Sequence, residues 1–101
     1  MSNYAKNLAE HRRIAILKLL VEAQGATNES ILQSSLGDLG LGAMLTRNAV
    51  REDMKFLEDR GLIRQEWYDD KLVIAHIQRR GVDVAEGKEL VEGIKRPSLG
   101  E

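Results

Sequence analysis

The stretch Thr46-Arg47-Asn48-Ala49-Val50-Arg51-Glu52-Asp53-Met54-Lys55-Phe56-Leu57-Glu58-Asp59-Arg60-Gly61 carries the clearest structural signal in the chain. Thr46 suits a helix N-cap, where a side-chain oxygen accepts from a first-turn amide that has no partner within the helix. Val50, Met54 and Leu57 follow at i, i+4 and i+7, which makes one apolar face, and Gly61 supplies a stop. Two runs rich in β-branched and aromatic residues come next, Leu62-Ile63-Arg64-Gln65-Glu66-Trp67-Tyr68 and Lys71-Leu72-Val73-Ile74-Ala75-His76-Ile77, with Asp69-Asp70 between them as a turn. The reading is a helix that runs directly into a β-hairpin.

Upstream, a helix is expected from about Asn3 to Ala23. Its second half carries more apolar residues than one face can use: Ile14, Leu17 and Val21 form one stripe, and Ile16, Leu20 and Ala23 form another. The second stripe is either a homodimer interface or the far side of a helix enclosed by its own domain. Gly25 stops this helix, and Thr27 or Asn28 caps the next, with Glu29 at the positive end of its dipole. Ile31, Leu32, Leu36 and Leu39 give that second helix an apolar stripe, and Gly37, Gly40 and Gly42 end it.

Downstream of the hairpin, a last helix starts near Gln78-Arg79-Arg80 and carries Val84, Val91 and Ile94, with Gly87 as a point where it can break. Residues 97–101 read as a polar tail that frays. The expected fold class is mainly α with a small β-hairpin (α+β), in the order α-α-α-β-β-α. That is the order of a winged helix-turn-helix domain over residues 1–96.

Bulk properties narrow the function. A chain of 101 residues is one domain with room for a core, and 43% apolar with 31% charged residues is ordinary for a globular protein. There is no cysteine, so disulfides and cysteine metal sites are excluded. No run approaches the roughly 18 apolar residues of a membrane span, and Met1-Ser2-Asn3-Tyr4 does not open a signal peptide. A cytoplasmic protein with no membrane partner is expected. The net charge of -1 means that any attraction to DNA must come from a local patch.

Three stretches resemble known regulators. Arg13-Ile14-Ala15-Ile16-Leu17-Lys18-Leu19-Leu20 resembles the first helix of ArsR-type repressors. Residues 48–63 resemble the recognition helix and the start of the wing in the ArsR and DeoR families, with Arg51 and Asp53 matching an arginine and an aspartate of the DeoR pattern. Ile77-Gln78-Arg79-Arg80-Gly81-Val82-Asp83-Val84-Ala85-Glu86-Gly87 is similar to the glycine-centred helix start that follows the wing. The chain's size and its closing Gly93-Ile94-Lys95-Arg96-Pro97 also look like a family of small winged-helix proteins of Mu-like phages and prophages. The resemblance implies a winged-helix fold and, for the last family, a phage protein.

At 100° per residue, Arg47, Arg51 and Lys55 share one exposed stripe opposite the core stripe, with Asn48 beside them. Long cationic donors and an amide are the residue types that contact phosphates, guanine edges and adenine. The same segment also holds acids: Glu52, Asp53, Glu58 and Asp59 balance Arg47, Arg51, Lys55 and Arg60. The rival reading is therefore a solvated face held by i,i+4 ion pairs. On the hairpin, Arg64 and Lys71 could touch a DNA backbone, whereas the acidic tip disfavours groove insertion. Trp67 and Tyr68 are expected to pack.

No chemistry is in view. His11 and His76 lack partners at metal-ligand spacing, no glycine-rich phosphate loop follows a strand, and no nucleophile with a matched base can be named. Neither catalysis nor a cofactor nor a metal is expected. The leading expectation is a homodimeric regulator of transcription that binds double-stranded DNA through Arg47, Asn48, Arg51, Glu52, Lys55, Arg64 and Lys71, with Ile16, Leu20 and Ala23 at the dimer interface. The rival is a protein-interaction module, such as an adaptor in phage assembly or packaging. Sequestration of Arg47, Arg51 and Lys55 in intramolecular salt links would count against the first.

Overall fold

A computed structural model describes residues 3–97. The elements run α1 (Asn3–Glu22), β1 (Ala26–Asn28), α2 (Glu29–Asp38), α3 (Arg47–Asp59), β2 (Ile63–Tyr68), β3 (Leu72–Ile77) and α4 (Arg79–Ala85). Four helices therefore pack with a three-stranded antiparallel sheet of order β1-β3-β2. The expected helix and hairpin order is present, with one strand added. β1 is only three residues long, too short to show any alternation, and it exists because β3 pairs with it through Thr27 opposite Ala75.

The helix ends follow from local chemistry. Asn28 caps α2, its side-chain oxygen accepting from the Ile31 amide at 2.9 Å, and Thr46 caps α3 in the same way from Ala49 at 3.0 Å. The hairpin tip turns with Asp69 and Asp70 both at positive φ (54° and 55°), the sign that a type I′ turn requires. The outer edge of β2 is partly blunted. Glu58 on α3 accepts from the Gln65 backbone amide and from its side-chain amide, each at 2.9 Å, so that backbone donor is not offered to another strand.

Helix α1 is the centre of the molecule, touching α2, α3, α4, β1 and β3. Most of both stripes is consequently consumed inside the domain: Ile14 and Leu17 of the first and Ile16 and Leu20 of the second are buried, whereas Val21 is exposed. Ile16 and Leu20, expected at a dimer interface, are completely buried in the chain's own core, and Ala23 lies beyond the helix end in an exposed turn. The doubled stripe reflects enclosure by the sheet and three helices, and Ile16 and Leu20 offer no surface to a second copy. In α2, Leu32 and Leu36 are buried as expected, but Ile31 and Leu39 are exposed.

The last helix is shorter than its apolar pattern suggests. α4 ends at Ala85, and Gly87 follows at φ 81°, a left-handed conformation that terminates it. Val91 and Ile94 still pack against the core, but they arrive on an irregular strap. Arg13 fastens that strap by donating to the Gly93 carbonyl at 2.8 Å, and the Lys95 amide donates to the Glu10 carbonyl at 3.1 Å. At the start of α4, a side chain on Gly81 would run into the Leu62 carbonyl, so only glycine permits this approach. Pro97 is half-buried, and residues 98–101 of the expected tail lie outside the described residues.

Candidate nucleic-acid interface

The N-terminal half of α3 meets the start of α2 around one carboxylate. Glu29, the first residue of α2, is fully buried, and Arg51 grips it with two hydrogen bonds, Nε to Oε1 at 2.6 Å and a terminal nitrogen to Oε2 at 3.0 Å. Arg47 stands 3.7 Å from the same carboxylate and donates through Nε to Gln33 at 2.7 Å. The Val73 backbone amide on β3 donates to Glu29 at 3.1 Å. One side chain thus ties α2, α3 and the sheet together.

The Arg51 hydrogen bonds, with help from the Val73 amide and from Arg47, hold the Glu29 carboxyl below the usual carboxylate range, against a burial that pushes it up. Arg51 is correspondingly raised, chiefly by its bond to Glu29. Reading Glu29 as a helix-dipole residue missed this role. A lone glutamate at a helix start carries no mark of the arginines that reach it from another helix, Arg51 standing 22 positions on.

Two arginines share this carboxylate, so the cluster keeps one net positive charge. Neither arginine is enclosed: the Arg47 side chain is 43% exposed and that of Arg51 is 39% exposed. Arg51 also lies 5.1 Å from the centre of the Trp67 ring, which brings the hairpin into the same surface. Trp67 and Tyr68, expected to pack, are both more than half exposed instead. They sit at the outer end of β2, beyond the core beneath Ile63.

The other predicted site residues scatter around this cluster. Lys55 is well exposed and pairs with Asp59 one turn on at 3.0 Å, the i,i+4 link of the rival reading. Asn48 and Glu52 are exposed and line a shallow cleft with Thr46, Met44 and Arg12. Arg64 and Lys71 are exposed on the hairpin without an ion partner among the described residues. The expected stripe therefore exists on α3, but each of its three cations is in an intramolecular salt link, which counts against the DNA expectation in part, since all three side chains keep exposed surface: Arg51 is held firmly, Arg47 in part, and Lys55 through an exposed pair.

Asp53 does not belong to this face. It is buried on the opposite side of α3, accepting from Arg12 at 2.6 Å and from Arg13 at 3.1 Å. Arg13 then covers one face of the Phe56 ring at 3.8 Å while Arg60 covers a face at 3.3 Å. Among the described residues no group of three histidine, cysteine or acidic side chains is placed to hold a metal, and no helix is long and apolar enough to cross a membrane.

No family model matches the chain, and no solved structure does. Two relatives are informative. Uncharacterized protein gp26 of Escherichia phage Mu is 38% identical over 90 residues, covering 89% of this chain and 91% of gp26. An uncharacterized protein of Haemophilus influenzae is 32% identical over 78 residues, covering 77% of this chain and 74% of that protein. The matched span takes in nearly all the elements described above, and the chain belongs to the family of phage Mu gp26.

Proposed function

We propose that this protein is a winged-helix domain that binds double-stranded DNA, with α3 as its recognition helix and the β2–β3 hairpin as its wing, serving as a regulator of transcription. The observation that carries the reading is the Arg47–Glu29–Arg51 cluster. A buried carboxylate holds two guanidinium groups at the solvent boundary of α3, and one positive charge is left over. Guanidinium donors held in place beforehand lose less freedom when they meet phosphate or a guanine edge. Lys55 adds a cation whose exposed pair with Asp59 is worth only about 0.3–0.5 kcal/mol, so a phosphate can replace the carboxylate. Asn48 supplies an amide, and Arg64 and Lys71 supply backbone contacts from the hairpin.

The rival reading, a protein-docking module, is favoured by the exposed Trp67 and Tyr68 beside Arg51, since aromatic residues and arginine are enriched where proteins meet. A mobility-shift assay on random duplex fragments at low salt separates the two. The DNA reading expects retarded species at micromolar protein that disappear in a variant combining Arg47→Ala, Arg51→Ala and Glu29→Gln. The third change ensures that no bare carboxylate stays buried. Absence of retardation, or retardation indifferent to these changes, would overturn it. Selective capture of a protein, lost on Trp67→Ala, would establish the rival.

A further inference from the structure

A second basic surface lies away from α3 and the hairpin, and its cations form no ion pair among the described residues. One stripe of α1 presents His11, Ile14, Ala15 and Lys18 at helical spacing. The α2–α3 connection brings Leu39 and Leu41 against it, and the C-terminal strap brings Lys95, Arg96 and Pro97. Together they line a cleft of about 290 Å³. None of these residues lies on α3, β2 or β3.

The cleft has a consistent chemistry. Among the described residues, Lys18, Lys95, Arg96 and His11 form no ion pair and no acidic side chain lines the cleft with them. The cations on α3, by contrast, are tied to Glu29, Gln33 and Asp59. The remaining lining residues, Ile14, Ala15, Leu39, Leu41 and Pro97, are apolar, and Leu39 is more than half exposed. Cations without ion partners among the described residues, set in one cleft with aliphatic side chains, match a ligand that carries carboxylates next to an aliphatic group. The volume lies just below the usual range for ligand pockets, about 300–1,000 Å³, which suits one or two side chains better than a whole cofactor.

We infer that this cleft docks a short acidic segment of a partner protein, with an aliphatic side chain on Leu39, Leu41 and Pro97 and carboxylates toward Lys18, Lys95 and Arg96. Phosphates of a nucleic acid would satisfy the cations but leave the apolar lining uncovered, so the apolar surface selects a peptide. The strap that carries Lys95 and Arg96 into the cleft is fastened to α1 through the Gly93 carbonyl and the Lys95 amide before any partner arrives. The inference does not rest on the DNA reading, because it uses a different face.

The test uses the full chain, labelled with nitrogen-15, and a short fluorescent peptide of alternating glutamate and leucine. Amide shifts should change around residues 11–18, 39–41 and 94–97, and the combined variant Lys18→Glu and Lys95→Glu should bind about tenfold more weakly. Both lysines lie outside the core, and circular dichroism checks that the variant is folded. Leu39→Ser, at an exposed position, should weaken the peptide as well. Three results would overturn the inference: shifts confined to other surfaces; equal affinity for polyglutamate of the same charge; or a charge reversal that weakens a DNA duplex while leaving the peptide unaffected.

Discussion

Helix α3 takes part in the same charge motif on two sides, two arginines on one buried carboxylate, and the two copies differ in how far their cations are enclosed. On the inner side, Asp53 is held by Arg12 and Arg13, whose side chains are only 9% and 19% exposed. On the outer side, Glu29 is held by Arg47 and Arg51, which remain about two-fifths exposed. The inner arginines are spent: Arg13 also donates to the Gly93 carbonyl and stacks on Phe56, so it locks α1, α3 and the strap together. The outer arginines keep donors facing water. Ion pairing alone therefore does not tell a structural cluster from a binding cluster. On the proposed DNA reading, exposure of the cations does.

The comparison breaks first at Asp53. Asp53→Asn strands the enclosed Arg12 without its counter-ion, and chemical denaturation should show a loss of about 3–5 kcal/mol. Glu29→Gln should cost less, about 1–3 kcal/mol, because glutamine still accepts from the Val73 amide and the arginines can turn to water. Equal losses at the two sites would erase the distinction between them.

Acid titration sharpens it further. The folded-state value of Glu29 is lowered from its ordinary 4.5, so its stabilising contribution is complete above that pH and is lost as pH falls through the lowered value. The Glu29→Gln protein should therefore lose less stability on acidification than the parent, as followed by circular dichroism. Away from both clusters, Gly81→Ala should cost about 1–3 kcal/mol through its collision with the Leu62 carbonyl. Smallest is Lys55→Ala: stability should stay within about 0.5 kcal/mol, while the slope of DNA affinity against salt falls by about one.

How far the sequence could be read divides along local and non-local physics. The α3 cap at Thr46, its apolar face and the hairpin after Gly61 are written in neighbouring residues, and all three are present. The short strand β1 is not, because nothing inside Ala26-Thr27-Asn28 records that β3 passes alongside. The two stripes of α1 were legible, but not what covers them. The stop at Gly87 was visible, whereas the return of Val91 and Ile94 on a strap depends on Arg13 and Phe56, far away in the chain. In the candidate site, Arg47, Arg51 and Lys55 could be placed on one stripe from periodicity alone. Their partner Glu29 could not, since a carboxylate on another helix becomes a ligand for them only once α2 and α3 pack.

The central claim is that the outer arginines are available to phosphate. The most direct measurement is the dependence of duplex DNA affinity on salt concentration, comparing the Glu29→Gln protein with the same protein also carrying Arg47→Ala and Arg51→Ala. The account predicts that the logarithmic slope falls by about two, one for each lost phosphate contact. A slope and affinity unchanged by removing both arginines would contradict it.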